Sequence, residues 1–239
     1  DVCSSDLYII SLVFHNQNND IQSDLSHFND ELTYLNLSNH CVHAGPIIRS
    51  EEEYKGMSLD ERRKILKKLM SFIRHIDISY KTIYIEKKHI EDSIEATGKL
   101  SKQLSSLIRE NMDLFCSFDV VKIYYDNGQV EVTRVLSSVF NALLENVEFR
   151  KVIPSQYRLF QVADLICTLK LTELKLENHA LSKSEKTFFG DERTLKKTQE
   201  LGYKTVMWSF AYFDWDEKKQ PSIEESQKII INNLHCGEV

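Results

Sequence analysis

The sequence predicts an α/β protein in which helices flank a mixed sheet, and three observations carry that prediction. Val120 to Tyr125 is β-branched and aromatic without alternation, the texture of a strand buried on both faces, and it stops at the turn signal Asp126-Asn127-Gly128. A helical stretch, Val130 to Asn146, separates it from a second strand, Val147 to Val152, which feeds another helix. Two further strands, Tyr8 to Phe14 (YIISLVF) and Ile78 to Glu86 (ISYKTIYIE), are separated by residues of helical periodicity.

Taken in order, Asp1 to Leu7 resembles the translation of a sequencing-library adapter and is set aside from the fold. Tyr8 to Phe14 is almost wholly apolar, which predicts a central strand. Ile21, Leu25, Phe28, Leu32 and Leu35 recur at helical spacing. His40 to Arg49, with His43-Ala44-Gly45-Pro46, reads as a loop or short strand. Ser58 with Glu61 is a capping-box signature opening a helix with an Ile65, Leu69, Phe72, Ile76 stripe. A long helix is predicted from His89 to Phe115, weakened or broken at Gly98. The helix between the two central strands buries Leu136, Val139, Phe140, Leu143 and Leu144. The helix carrying Gln161 and Asp164 ends near Leu176, and Leu181 to Phe189 reads as a polar, basic connector. Beyond it, Arg193 to Leu201 reads as a helix capped by Gly202, Tyr203 to Phe210 as a strand and Ser222 to Leu234 as a helix.

The chain has 239 residues, 42% of them hydrophobic, and a formal charge of −6, so its overall charge is no nucleic-acid footprint, though a local basic patch is compatible with it. No run approaches the roughly 18 apolar residues of a membrane span. The five cysteines show no metal-ligand spacing; Cys116 and Cys167 read as buried thiols of a reducing, cytoplasmic compartment.

The candidate site is Asp126, Gln161 and Asp164. Asp126 ends a strand, where open α/β sheets keep their sites. Asp164 stands among apolar residues of a helix, costly for a carboxylate without a partner. Mg²⁺ and Mn²⁺ take oxygen ligands from carboxylates converging from separate elements. The competing reading has Asp126 only starting its turn, and Asp164 pairing with Arg158 or a backbone group. His43 is a candidate proton shuttle or ligand-binding residue. Lys81 to Lys88 with Tyr80 and Tyr84 interleaves basic and aromatic residues as a polyanion surface does. The basic run Arg62-Arg63-Lys64 and Lys67-Lys68 is assigned to the wet side of its helix.

Three motifs, Asn39-His40-Cys41-Val42-His43-Ala44-Gly45-Pro46, Ile123-Tyr124-Tyr125-Asp126-Asn127-Gly128-Gln129 and Tyr157-Arg158-Leu159-Phe160-Gln161-Val162-Ala163-Asp164-Leu165-Ile166, resemble in order those of the bacterial and phage-associated DUF3800 family, over roughly residues 8–190. The resemblance implies a ribonuclease H-like fold and a metal-dependent nuclease. It implies Mg²⁺ or Mn²⁺ as cofactor, nucleic acid as partner, and neither membrane nor haem nor nucleotide cofactor. It makes Asp126 and Asp164 the metal ligands, with Gln161 and His43 beside them. Family members open with a strand ending in an Asp-Glu-Ser-Gly-Asp-like motif that this sequence lacks. Tyr8 to Phe14 resembles the second strand, so the first strand and its acid are expected to be missing, and the chain to be inactive. Of three arrangements open to such a sheet, the one expected has Tyr8 to Phe14 paired with Val120 to Tyr125.

Residues 191–239 depart from that pattern. Arg193 to Phe210 and Asp214-Trp215-Asp216 resemble a late fragment of a polysaccharide deacetylase. Asp214 is the one residue there matched to an active site, and it has no metal site to serve. About fifty residues of a barrel cannot bury a core, so the chain is expected to be a chimera joined near Gly190-Asp191. Two alternatives to the nuclease reading are a deacetylase fragment and a non-catalytic interaction protein.

Overall fold

Leu7–Phe14 (β1) pairs antiparallel with Ser79–Glu86 (β2), Leu7 opposite Glu86 and Phe14 opposite Ser79. Val121–Tyr125 (β3) pairs parallel with Val147–Lys151 (β4), Ile123 opposite Phe149. The computed structural model describes residues 7–90, 92–125 and 130–190, with the backbone alone for His89, Val130 and Glu131. Its contacts divide the chain after Phe188, and the four described strands lie in the first unit. The readings for Asp126, Asp214, Tyr203 to Phe210 and the flanking tail helices lie outside the described residues.

The fold is mixed α/β. Among the described residues, however, its strands form two separate two-stranded sheets. The expected pairing of Tyr8 to Phe14 with Val120 to Tyr125 does not form. β1 spends its hydrogen bonds on β2, where Ile10 and Ile83 oppose one another and are both buried. The expectation that Val120 to Tyr125 is buried on both faces also fails, since Ile123 is the buried residue of β3 and Lys122 beside it is exposed. No residue of β1 is exposed, and Ile10 is its buried one.

Eight α-helices accompany the strands among the described residues. Gln22–Tyr34 (α1) and Ala44–Arg49 (α2) each pack on Leu59–His75 (α3), with Phe28 of α1 and Phe72 of α3 stacked at 5.2 Å. Ser58 caps α3 by the predicted box: its Oγ accepts from Glu61 N–H at 3.2 Å, and Glu61 Oε2 accepts from Ser58 N–H at 2.7 Å. His40 to Arg49 is not a loop or strand throughout, because α2 begins at Ala44 and places Pro46 in its first turn, where proline is tolerated.

Ser93–Glu110 (α4) and Met112–Cys116 (α5) replace the single long helix, and the break falls at Asn111, not Gly98. Val130–Leu143 (α6) lies against α4, and α4 against β2. One core joins the two sheets from this side: Ile10, Ile83 and Ile85 meet Leu100, Leu104, Ile108, Ile123, Val135 and Val139. Phe115 sits at its centre, edge-on to Phe14 at 5.8 Å and to Phe140 at 5.9 Å. Cys116 is exposed, contrary to the sequence reading, since its neighbour Phe115 takes the inward position on this short helix.

Arg158–Glu177 (α7) packs on β1 and α2. Lys183–Phe189 (α8) is a helix where a connector was expected. Ser182 and Glu185 form a second reciprocal pair there, with Ser182 N–H donating to Glu185 Oε2 at 2.7 Å and Glu185 N–H to Ser182 Oγ at 3.3 Å.

Candidate functional site

Arg158, Gln161 and Asp164 recur every third residue on α7, so they share one face of the helix. The extended residues before α2 present backbone groups to that face, and each of the three side chains takes one. Arg158 Nη1 donates to His40 O at 2.6 Å. Gln161 Oε1 accepts from Val42 N–H at 3.2 Å. Asp164 Oδ2 accepts from Ala44 N–H at 2.8 Å. Alternate residues 40, 42 and 44 of the segment are thus read by three successive polar positions of one helix. The histidine-bearing motif at 39–46 and the helical motif at 157–166 are in this way bound to each other.

Each member of this clamp is held in turn. Arg158 donates Nε and Nη2 to Asn29 Oδ1 on α1, at 3.0 and 2.8 Å, and Nη1 to Gln161 Oε1 at 3.0 Å. Its guanidinium lies 5.3 Å from the Phe28 ring centroid. Gln161 Nε2 donates to Pro154 O at 3.2 Å, so both polar atoms of this buried amide are used. Tyr54 is fully buried beneath the segment. Its hydroxyl donates to Cys41 O at 3.3 Å and accepts from His43 N–H at 3.2 Å. His40 Nε2 lies 2.6 Å from the same oxygen and 3.5 Å from Glu53 Oε1.

The electrostatics follow from burial. Burial raises the proton affinity of Asp164, against the opposing pull of the Ala44 N–H and of His43 and Arg49. Burial lowers the pKa of His40, with Glu53 opposing and Arg158 and His43 reinforcing the shift. Burial also lifts the Cys41 thiol, and pushes Cys167, whose Sγ lies 3.9 Å from Ile9 O on β1, up to about 11. Burial thus disfavours the thiolate form of both.

The structure therefore brings Asp164 and Gln161 to the backbone of Ala44 and Val42, the residues on either side of His43, and leaves Asp126 and Asp214 outside the described residues. Asp164 does pair with a backbone group, as the competing reading held: it caps α2 from another element, while the N-cap His43 makes no side-chain cap bond. Gly45 in the first turn of α2 lets Arg49 fold over it, since a Cβ there would sit 3.1 Å from Arg49 Nη1. Sequence reasoning missed Tyr54 and Asn29, and weighed Arg158 only as a partner for Asp164. The continued three-residue spacing back from Asp164 is the signal that pointed to Arg158. The Lys81 to Lys88 stretch pairs locally: Lys87 Nζ lies 4.4 Å from the Tyr8 ring centroid and Lys170 Nζ 5.4 Å from that of Tyr84.

Among the described residues no group of three or more His, Cys, Asp or Glu could hold a metal ion, and no helix is long and apolar enough to cross a membrane. For a hard divalent cation the described residues fit one ligand position. Asp164 has Oδ2 engaged by Ala44 and no hydrogen bond to Oδ1 among the described residues.

No family model matches this chain, and no curated protein matches it. Among solved structures, a chain of the PCNA–ribonuclease HII complex from Archaeoglobus fulgidus is similar at 15% identity, over 92% of this chain and 93% of that one, with a TM-score of 0.38. A likeness that slight carries no argument about fold or chemistry.

Proposed function

We propose that this chain is a DUF3800-like protein of ribonuclease H-like type, a family whose chemistry is metal-dependent phosphodiester hydrolysis, and that Asp126 and Asp164 are its ligands to Mg²⁺ or Mn²⁺. One observation carries the reading. Asp164 is a carboxylate set in an apolar helix, held by one oxygen and offering the other, in a place where burial disfavours its charge. A divalent cation is the partner that would offset that penalty. The clamp to residues 40–44 supports the same reading, since it fixes a ligand's carboxylate as a working site requires.

The test is thermal unfolding with MnCl₂ or MgCl₂ for the parent chain, Asp126→Asn and Asp164→Asn, together with cleavage of single- and double-stranded DNA and RNA. The expected result is a saturable rise in melting temperature that both variants lose. An equal rise in all three chains overturns the metal assignment.

One observation favours a second reading, a non-catalytic interaction protein: Arg158 and Gln161 are wholly occupied in holding backbone and side chains in place. An equal response of all three chains to metal, with no cleavage of any of the four substrates, would select it.

A further inference from the structure

His40 takes part in the clamp twice, by its carbonyl and by its ring. The carbonyl accepts from Arg158 Nη1 at 2.6 Å. The side chain is only 10% exposed, and its ring stands edge-on to that of Tyr54. Its Nε2 lies 2.6 Å from the Tyr54 oxygen. A phenol has one hydrogen to give, and Tyr54 gives it to Cys41 O at 3.3 Å, so His40 Nε2 carries its own hydrogen and is the donor. The Tyr54 oxygen then accepts twice, from His40 and from His43 N–H at 3.2 Å. One phenolic group thereby ties the ring of residue 40, the carbonyl of residue 41 and the amide of residue 43 to a single point.

With its hydrogen on Nε2, neutral His40 keeps its lone pair at Nδ1, and a further proton goes there. Nδ1 makes no hydrogen bond among the described residues. Burial opposes a charge on this ring most strongly; Glu53, 3.5 Å from Nε2, favours it, and Arg158 of α7 and His43 of the same segment oppose it. Tyr54 and Cys41, also against the ring, are held in their neutral forms by burial. The repulsion from a protonated ring thus falls on the guanidinium that grips the carbonyl of the same residue.

From this geometry we propose that His40 is an acid-released latch on residues 40–44. Uncharged, it fastens the segment to Tyr54. On taking a proton at Nδ1, it sets a cation against the Arg158 guanidinium, and the segment loosens from α7. The same segment carries Val42 N–H to Gln161 and Ala44 N–H to Asp164, so the start of α2 is released with it. The latch acts on the clamp whether or not Asp164 holds a metal. Its direction follows from linkage. The loosened segment exposes His40 to water and takes up a proton more readily than the closed one. The open form therefore gains as pH falls through the ordinary histidine value of about 6.5 toward the lower value of the closed form.

Hydrogen exchange of the full chain tests the latch. Protection of the Val42, His43 and Ala44 amides, corrected for intrinsic rates, is compared at about pH 7.5 and about pH 5.5, on either side of the ordinary histidine value. Leu104 in the α4 core is the reference, and the His40 ring is titrated by NMR over the same range. The expected result is a loss of protection of about threefold or more relative to Leu104, with the midpoint of the His40 ring. His40→Gln keeps an N–H for Tyr54 and cannot titrate, so it should lose much less. Asp164 also titrates and holds Ala44, so Asp164→Asn is the control, and there Val42 and His43 should still respond to acid. Should His40→Gln not fold, the two midpoints in the parent chain decide. The latch is overturned by an equal loss in His40→Gln, by a ring titration that leaves the amides unchanged, or by an acid response that disappears in Asp164→Asn.

Discussion

Asp164 Oδ2 accepts the Ala44 amide hydrogen at 2.8 Å, across 120 positions of sequence. One carboxylate thereby starts α2 and anchors it to α7. Because burial dominates the environment of that carboxyl group, its folded-state pKa is raised above its ordinary value. The folded chain then binds more protons than the unfolded chain between those two pKa values. Asp164 therefore costs stability progressively as pH rises through that window, and this cost is absent below it. Asp164→Asn keeps an acceptor for Ala44 N–H and removes the titration. Its stability relative to the parent is expected to improve as pH is raised from below the ordinary aspartate pKa, measured by urea unfolding at a series of pH values. A difference that stays flat with pH would refute the raised pKa.

Arg158 is the most heavily used side chain of the clamp. Arg158→Ala would leave His40 O and Asn29 Oδ1 without their donors and empty the space over Phe28. A loss of about 3 kcal/mol is expected from stranding buried acceptors. Arg158→Lys should recover only part of it, because an ammonium cannot reproduce the fork. Urea denaturation of the three chains checks this; a lysine variant as stable as the parent would show that charge alone suffices.

Much of the helical structure was legible because it is local. Ser58 and Glu61 announce α3 over three residues, and the apolar stripe after them confirms its length. The same Ser-x-x-Glu pattern at Ser182 and Glu185 went unread because α8 is too short to show periodicity. Gln161 and Asp164 stood out as polar residues at helical spacing in an apolar stretch. Their partners Val42 and Ala44 lie 119 and 120 positions away, so no local pattern discloses them. Strand partners were illegible for the same reason. An apolar run such as Tyr8 to Phe14 states that it will be covered, not by which neighbour. Arg62 misled because a basic cluster on a helix usually marks the solvent side, whereas here α2 ends above one of its members and draws it inward.

Tyr54 should behave as a second support of the 40–44 segment. Tyr54→Phe preserves the ring and its edge contact with His40, at 5.3 Å between centroids. It removes the oxygen shared by His40, Cys41 and His43. About 1–3 kcal/mol should be lost, the cost of leaving buried polar groups unpaired. Amide exchange at His43 should quicken more than at Leu104 in the distant α4 core, and equal acceleration at both would mean global rather than local loosening.

Gly98 offers a prediction of opposite sign. Its composition argued for a break in the helix, yet α4 runs through it from Ser93 to Glu110. Glycine inside a helix is destabilising relative to alanine because the unfolded chain has more backbone freedom to lose. That penalty can be removed only where a methyl group has room and the backbone is already one that alanine adopts. Both conditions hold at Gly98: nothing lies within 4 Å of an added Cβ, and its φ is not in the positive range. Gly98→Ala should therefore stabilise the protein by about 0.5–1 kcal/mol. Gly56 is the control. It too has nothing within 4 Å of an added Cβ, but its φ is +97°, a conformation side-chain-bearing residues rarely adopt. Gly56→Ala should destabilise despite the open space. Melting temperatures of the two variants moving in opposite directions would bear out the helix through Gly98; a loss of stability in Gly98→Ala would mean that α4 is interrupted there after all.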